Sequence, residues 1–279
     1  MMLRVPSRKR ISTGLIVAYG FLSLLGIINI FPFYWAILAA FKYPQDIIRV
    51  PAIWFTLHLT LTNFSRIFVN RFDMYYRNSI IQVGLLIPLL LFSSSLGGFI
   101  FSKFNFRGKE LIFKMLLSTM MLPFIIMLIP MVVITGRLHL INSLLGLVVP
   151  FMVSPFGIYF MRQFMEGIPN EMLDAARIDG ASNWMIYVQI MIPLSKAALS
   201  TLAIFFFLDA WNSFLWPLVT MYNENVWTLP LGAAQYANKY STEAGPSIAA
   251  AVTMMLPLII AFIFFQKGIV EGIALTGMK

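Results

Sequence analysis

The sequence contains no cysteine and only two histidines, His58 and His139, which lie far apart in the chain. The first absence excludes a disulfide framework and a thiolate metal site. The second argues against a histidine-based metal or catalytic centre. Charge is scarce too: 11% of the 279 residues are charged, where a soluble domain carries about a quarter. So few charges cannot solvate the surface of a globule this large. A nucleotide-phosphate loop is also missing. It would need Gly-x-x-x-x-Gly-Lys-Ser/Thr, so that backbone amides cradle the phosphates. The nearest stretch, "FNFRGKE", lacks the first glycine and the hydroxyl residue. No nucleotide or magnesium site is expected in this chain, and any energy for work must come from a partner or an ion gradient.

What the sequence has in plenty is apolar surface: 59% of its residues are hydrophobic and the mean hydropathy is +0.83. The expected class is an all-α integral membrane protein. A helix crosses the hydrocarbon core with about 20 apolar residues. Six stretches qualify, at 13–41, 77–101, 111–134, 144–164, 197–221 and 247–266. Their apolar runs are continuous rather than alternating, which is not the pattern of a membrane β-barrel. The first follows "RVPSRKR", but its apolar run far exceeds the roughly 7–15 residues of a signal-peptide core. It reads as a span, and residues 1–279 read as one transmembrane domain.

The net charge of +9 suits membrane orientation better than nucleic acid, because lysines and arginines gather where cytoplasmic loops meet the spans. With the N-terminus inside, 13 of the 20 basic residues fall on the cytoplasmic side and 7 outside. Arg4, Arg8, Lys9, Arg10 and Lys279 are among the inner ones. Both termini are expected in the cytoplasm of a prokaryotic cell, with long outer loops at 42–76 and 222–246. Prolines 88, 123, 130, 150, 155 and 257 fall within the spans. Together with "SSSLGG" at 93–98 they predict kinked helices, whose freed backbone groups need neighbours or cavity water.

One stretch breaks the apolar pattern. Residues 165–196 include "GIPNEMLDAARIDGASNWMIYVQIMIP", which lies in the cytoplasm between the fourth and fifth spans. Pro169 and Asn170 mark a helix start, with Glu171 and Asp174 toward its positive end. Asp179-Gly180 reads as its stop and turn. Ser182 is a candidate cap for a second helix, whose Trp184, Tyr187, Val188 and Met191 fall on one stripe. This helix pair suits either a position on the membrane surface or docking of a soluble partner. The small face of Ala175, Ala176 and Gly180 favours docking, since it lets another backbone approach closely.

The same stretch resembles the EAA loop of ABC-importer membrane subunits: Glu-Ala-Ala, three residues, Gly, nine residues, then Ile-x-Leu-Pro. Ala175, Ala176, Gly180, Ile190 and Pro193 match, while Asp174 and Ile192 replace the usual glutamate and leucine. "PFYWAILAAFKYPQDI", "FSKFNFRGKELIF", "SPFGIYFMRQF", "WNSFLWPLVT" and "FFQKGIVEGI" extend the resemblance over nearly the whole chain. They are similar to the carbohydrate-uptake group, and within it to the smaller, six-span subunit of maltose-type importers. The tail "GIALTGMK" departs from the usual ending.

The resemblance implies a non-catalytic permease subunit that pairs with a second permease. Two ATPase subunits, which bind ATP and magnesium, would dock at a coupling loop containing Asp174, Ala175, Ala176, Asp179, Gly180, Ile190 and Pro193. An extracytoplasmic solute-binding protein would deliver a sugar from the other side.

For the translocation path the residues themselves supply candidates. An acid inside a membrane span is a functional candidate by default, and Asp209 is one. On a continuous helix Asp209, Asn212 and Trp216 would share a face, with polar groups and an aromatic platform suited to a sugar. Asn78, Ser79 and Gln82 at the start of the second span are further candidates. The blander alternative is pairing with the partner subunit or a wet vestibule, and Trp211 and Trp216 also suit interfacial anchoring. Two other functions compete. A cargo of glycerol phosphate or a related phosphodiester needs no change of architecture. A gradient-driven secondary transporter would show repeats or several intramembrane charges, and neither is evident.

Overall fold

A computed structural model of the chain describes residues 13–69, 71–239 and 244–276. Among the described residues all regular structure is helical, without a strand. Arg4, Arg8, Lys9, Arg10 and Lys279, which entered the orientation reading, lie outside the described residues, as does the end of the tail. The chain forms two compact units, one of residues up to Ile67 with the segment ending at Thr253, the other of Phe68–Lys239 and the chain from Met254 onward.

The first unit is built on α1, Thr13–Ala40, which is apolar on every side. Its apolar window is unburied along its length. Past its end Lys42 is wholly buried, with its Nζ 4.1 Å from the centre of the Trp35 ring and donating to the Ile53 carbonyl. Desolvation pushes the Lys42 ammonium below the usual lysine range, and Asp46 pulls the other way. Asn63, in α2 (Thr62–Val69), donates to the carbonyls of Ala40 and Lys42 at 2.9 and 2.8 Å. Those bonds hold the turn that follows α1.

The second unit is organised around α3, Phe72–Lys103. It continues through α4 (Lys109–Thr119), α5 (Phe124–Arg137), α6 (Leu145–Val148, extended by a 3-10 turn to Phe151) and α7 (Pro155–Glu166). Then come α8 (Asn170–Ile178), α9 (Asn183–Leu194), α10 (Lys196–Trp211), α11 (Leu215–Thr220) and α12 (Leu229–Lys239). The last helix, α13, is Ala244–Thr276.

Among the described residues three helices are long and apolar enough to cross a membrane unaided: Gly14–Ala40, Phe72–Lys103 and Ala244–Ile263. The expected spans 111–134, 144–164 and 197–221 are not single helices. The first is α4 and α5, bent by 100°, and the second is α6 and α7, bent by 47°. The third ends at Trp211 and resumes at Leu215, with a further bend of 77° where α9 meets α10. The last expected span, 247–266, is the middle of a helix that runs on to Thr276.

Proline position explains much of this. A proline lacks an N–H and disfavours helix at the residue before it. Pro88, Pro130 and Pro257 are carried inside helices. Pro123 and Pro155 stand at the breaks, and Pro150 lies in the 3-10 turn.

"SSSLGG" behaves differently from the expected kink. α3 runs through it without interruption, and the small residues serve packing instead. A Cβ built on Gly98 would lie 2.5 Å from Met161 Cβ, with the backbone of Met161 and Arg162 close behind. Only glycine lets α3 and α7 cross this closely, as small residues do in membrane helix pairs generally. Phe101, Phe113 and Ile158 form a small core beside the crossing.

Candidate translocation cavity and docking loop

The second unit encloses a cavity of about 850 Å³. Much of its wall is aromatic, including Phe124, Phe151, Phe205 and Phe214. Among the described residues its polar lining consists of Gln82, Ser154, Asp209, Asn212 and Ser213, with no lysine, arginine or histidine. Ser154 is committed to capping α7, accepting from the Gly157 amide at 3.1 Å. Asn212 caps the end of α10, its Nδ2 donating to the Leu208 carbonyl at 2.8 Å. No hydrogen bond or ion pair among the described residues engages Gln82 or the Asp209 carboxyl, so both are available to a guest.

Asp209, Asn212 and Trp216 all line this cavity, but not by sharing a helix face. The helix stops at Trp211, and Trp216 belongs to α11. The convergence comes from the break between them. Trp216 is 2% exposed and donates through Nε1 to the Gly146 carbonyl at 2.9 Å, with Phe151 edge-on at 5.3 Å. Trp211 is equally buried and donates to the Met254 carbonyl at 3.2 Å. Neither indole is placed as an anchor at the lipid surface, because each N–H is satisfied by a carbonyl within the fold.

Gln82 lines the cavity, whereas Asn78 and Ser79 are fasteners. Asn78 donates to the carbonyls of Asn225 and Trp227 at 2.9 and 3.0 Å, and the Leu229 amide donates to Ser79 Oγ at 2.8 Å. They tie the loop 221–229 to the start of α3. Asn142, at a positive φ of 57°, secures the same loop by accepting from the amides of Tyr222 and Asn223. A lone asparagine in a loop gives no sequence signal for such a role.

At the other end of α3 lies the loop 165–196. Its helix α8 starts after Pro169, and Gly180 takes the left-handed φ of 86° that ends it. Ser182 caps α9, accepting from the Met185 amide at 3.2 Å. α8 buries only Leu173 and leaves Asp174, Ala175, Arg177, Ile178, Asp179 and Gly180 exposed, with Ala176 half-buried. Ile178 is 86% exposed. Asp174 and Arg177 pair along the helix at 2.9 Å.

The expected apolar stripe of α9 is rotated. Trp184 and Val188 are exposed, while Ile186, Tyr187 and Met191 are buried and Ile190 is partly buried. Residues Tyr187–Met191 form a π turn, whose i→i+5 bonding carries Met191 back over Ile186. A stripe drawn at the α-helical period misses that extra residue.

Few contacts hold the loop to the body of the unit. Tyr187 donates its hydroxyl to Ser95 Oγ at 2.7 Å, because the Ser95 proton is already given to the Leu91 carbonyl at 2.7 Å. The Tyr187 ring lies 5.5 Å from that of Phe99. Lys103 donates to the Ile168 carbonyl and, at 3.0 Å, to Asn170 Oδ1. Nearby, Arg162 pairs with Glu166 at 2.8 Å and Glu110 at 3.1 Å, its guanidinium 4.0 Å over the Phe113 ring.

Comparison with known proteins fits this arrangement. Residues 90–273 match the family described as binding-protein-dependent transport system inner membrane component. The arabinooligosaccharides transport system permease protein AraQ of Bacillus subtilis is 34% identical over 269 residues, covering 93% of this chain and 94% of that protein. The lactose transport system permease protein LacG of Rhizobium radiobacter is 30% identical, covering 92% and 94%. The sn-glycerol-3-phosphate transport system permease protein UgpE of Salmonella typhi is also 30% identical, covering 93% and 96%. A solved bacterial ABC transporter involved in importing the acidic polysaccharide alginate shares the fold, with a TM-score of 0.79 at 22% identity, over 90% of this chain and 95% of that one. This chain belongs to the family of inner membrane components of binding-protein-dependent transport systems.

Proposed function

We propose that this chain is one of two permease subunits of an ATP-driven importer for a neutral sugar or oligosaccharide. The observation that carries the reading is the exposed helix α8, ended by Gly180 in a left-handed turn and followed by α9, over residues that match the EAA pattern. A helix with such small side chains can seat in a cleft of an ATPase, and its closure then reaches the cavity through the body of the unit. ATP and magnesium belong to two such ATPase partners. A solute-binding protein delivers the cargo to the opposite side. Six crossings, one of them α10 with α9 left in the loop, put both termini on one side, and the excess of lysine and arginine there makes that side the cytoplasm.

Cargo follows from the cavity lining. Asp209, Asn212 and Gln82 offer hydrogen bonds, and the exposed phenyl rings of Phe205 and Phe214 offer apolar faces, as a sugar's two-sided surface requires. Relatives named for arabinooligosaccharides and lactose favour the same class. The relative named for glycerol phosphate keeps that cargo as a second reading, but a phosphate would meet a carboxyl here and no cationic side chain.

The test is co-purification of the tagged chain from its native membrane. Recovery of a second permease, an ATPase and a solute-binding protein is expected, and ligand screening of that binding protein then names the cargo. A chain that comes alone and transports on an ion gradient without ATP overturns the proposal.

A further inference from the structure

Residues 48–61, which follow α1, have no regular secondary structure, yet they are not polar. Arg49 and His58 are their only ionisable side chains. Val50 is 91% exposed, Phe55 82% and Leu57 98%. The segment also doubles back along the helix it has just left. Its Trp54 ring lies 5.8 Å from Phe31 and 5.2 Å from Trp35, and Tyr34 donates its hydroxyl to the Trp54 carbonyl at 3.1 Å. Phe31 stands nine residues before the end of α1, so at about 1.5 Å per residue the chain returns roughly 13 Å along the axis.

The 28 residues of α1 measure about 42 Å at 1.5 Å per residue, roughly 12 Å more than the hydrocarbon core is thick. Measured from its first turn, the helix leaves the core near residue 33. The returning segment therefore accompanies just that part of α1 which emerges, and Tyr34, Trp35 and Trp54 gather at the boundary. Tryptophan and tyrosine belong at that level, where their rings meet both lipid and water.

We propose that residues 48–61 form an apolar strap lying in the headgroup–acyl boundary beside the Ala40 end of α1, with Val50, Phe55 and Leu57 against lipid. The proposal requires only that α1 crosses the bilayer, as the importer reading has it. Two physical limits set the depth. Irregular backbone leaves amides and carbonyls that the hydrocarbon core cannot satisfy, so the strap stays out of the core. Three nearly bare apolar side chains so close together are equally out of place in water. The interfacial layer meets both conditions, and α1 beside it is itself apolar on every side. Lys42, donating to the Ile53 carbonyl, and Asn63, donating back to the carbonyls of Ala40 and Lys42, tie the strap's middle and the residues just past its end to the end of α1, so it holds the depth of α1 in the membrane.

Because the native chain has no cysteine, Leu57→Cys and Phe55→Cys each create a single labelling site. The permease complex carrying either one is labelled with a nitroxide and placed in nanodiscs of phosphatidylethanolamine and phosphatidylglycerol. The unsubstituted complex supplies the background from other subunits. Collisions with lipid-soluble oxygen are expected to exceed those with aqueous nickel chelate severalfold at both sites. Ile178→Cys, in complex stripped of its ATPase, is expected to give the opposite ratio. Nickel collisions dominating at residues 55 and 57 overturn the strap, since it then lies in water. Poor access to both reagents overturns it too, since the segment is then covered by protein. Either result leaves the importer proposal standing, because that depends on which subunits co-purify.

Discussion

Helices α1 and α3 are both long and almost wholly apolar, yet they do opposite work. None of the apolar window of α1 is buried, against 39% of that of α3. The glycines of α1 face open space, and Gly20 has nothing within 4 Å of a built Cβ. In α3, Gly98 lies against the backbone of α7. Hydropathy thus identifies a span, but the placement of small residues decides whether the span packs within its own unit. α3 also carries a candidate site at each end. Gln82, Leu86 and Leu90 wall the cavity, while Ser95, Phe99 and Lys103 hold the loop 165–196. Ser95 and Gln82 are about 20 Å apart along the axis at 1.5 Å per residue. One uninterrupted helix, α3, joins the two.

The contrast can be broken most forcefully at the α3–α7 crossing. Gly98→Leu has no room, and overpacking of this kind costs about 1–3 kcal/mol or more. A rise of about tenfold or more in the unfolded fraction is expected, since ~1.4 kcal/mol is a factor of ten, and recovery of folded permease should fall with it. Size-exclusion yield measures it. The matching Gly20→Leu in α1 should leave the yield unchanged, and equal loss from the two would erase the distinction between the helices.

At the docking end, Gly180→Val forces a β-branched residue into a left-handed turn at about 1–2 kcal/mol. Transport per ATP hydrolysed should drop by about fivefold to thirtyfold over that range, with assembly preserved. Coupled uptake at the native ratio would count against the loop's assigned role. At the cavity end, Asp209→Ala removes a charge-assisted hydrogen bond to cargo of about 1.5–3 kcal/mol. The half-saturation of uptake should rise about tenfold or more at unchanged complex yield. An unaltered uptake curve would return Asp209 to a role at the partner subunit.

The smallest effect belongs to Tyr187→Phe, which keeps the ring and deletes one hydroxyl. Side-chain hydrogen bonds inside membrane proteins average about 0.6 kcal/mol, so thermal stability should fall slightly. Ser95→Ala combined with it should add little, because the two residues share that bond.

Much of this was legible in the sequence because it is local. Pro169, Asp179-Gly180 and Ser182 signal a helix start, a turn and a cap, and each sits where the backbone has them. The ends of α1 are also close to those read from hydropathy. The features that escaped are set by distant partners. Nothing around residue 212 announces that α10 stops at Trp211, so the cavity residues looked like one helix face. Small residues at 93–98 suggested a kink, when the ridge of α7 against them makes them a close-packed crossing. Asn78 and Ser79 looked like pore candidates because they are polar in an apolar run. Their loop partners lie some 150 positions away along the chain, beyond the reach of any local pattern.

The π turn at Tyr187–Met191 is in effect an α-helix holding one residue too many. Removing a single residue from it would restore ordinary helical bonding, without strain. It would also turn the chain before it by about 100° relative to the chain after it, one residue's share of a 3.6-residue turn. The surplus residue therefore sets an angle, much as the offset of a crank does. A family that lengthened or shortened the chain here by one position could re-aim α8 toward a differently shaped ATPase while the cavity stayed as it is.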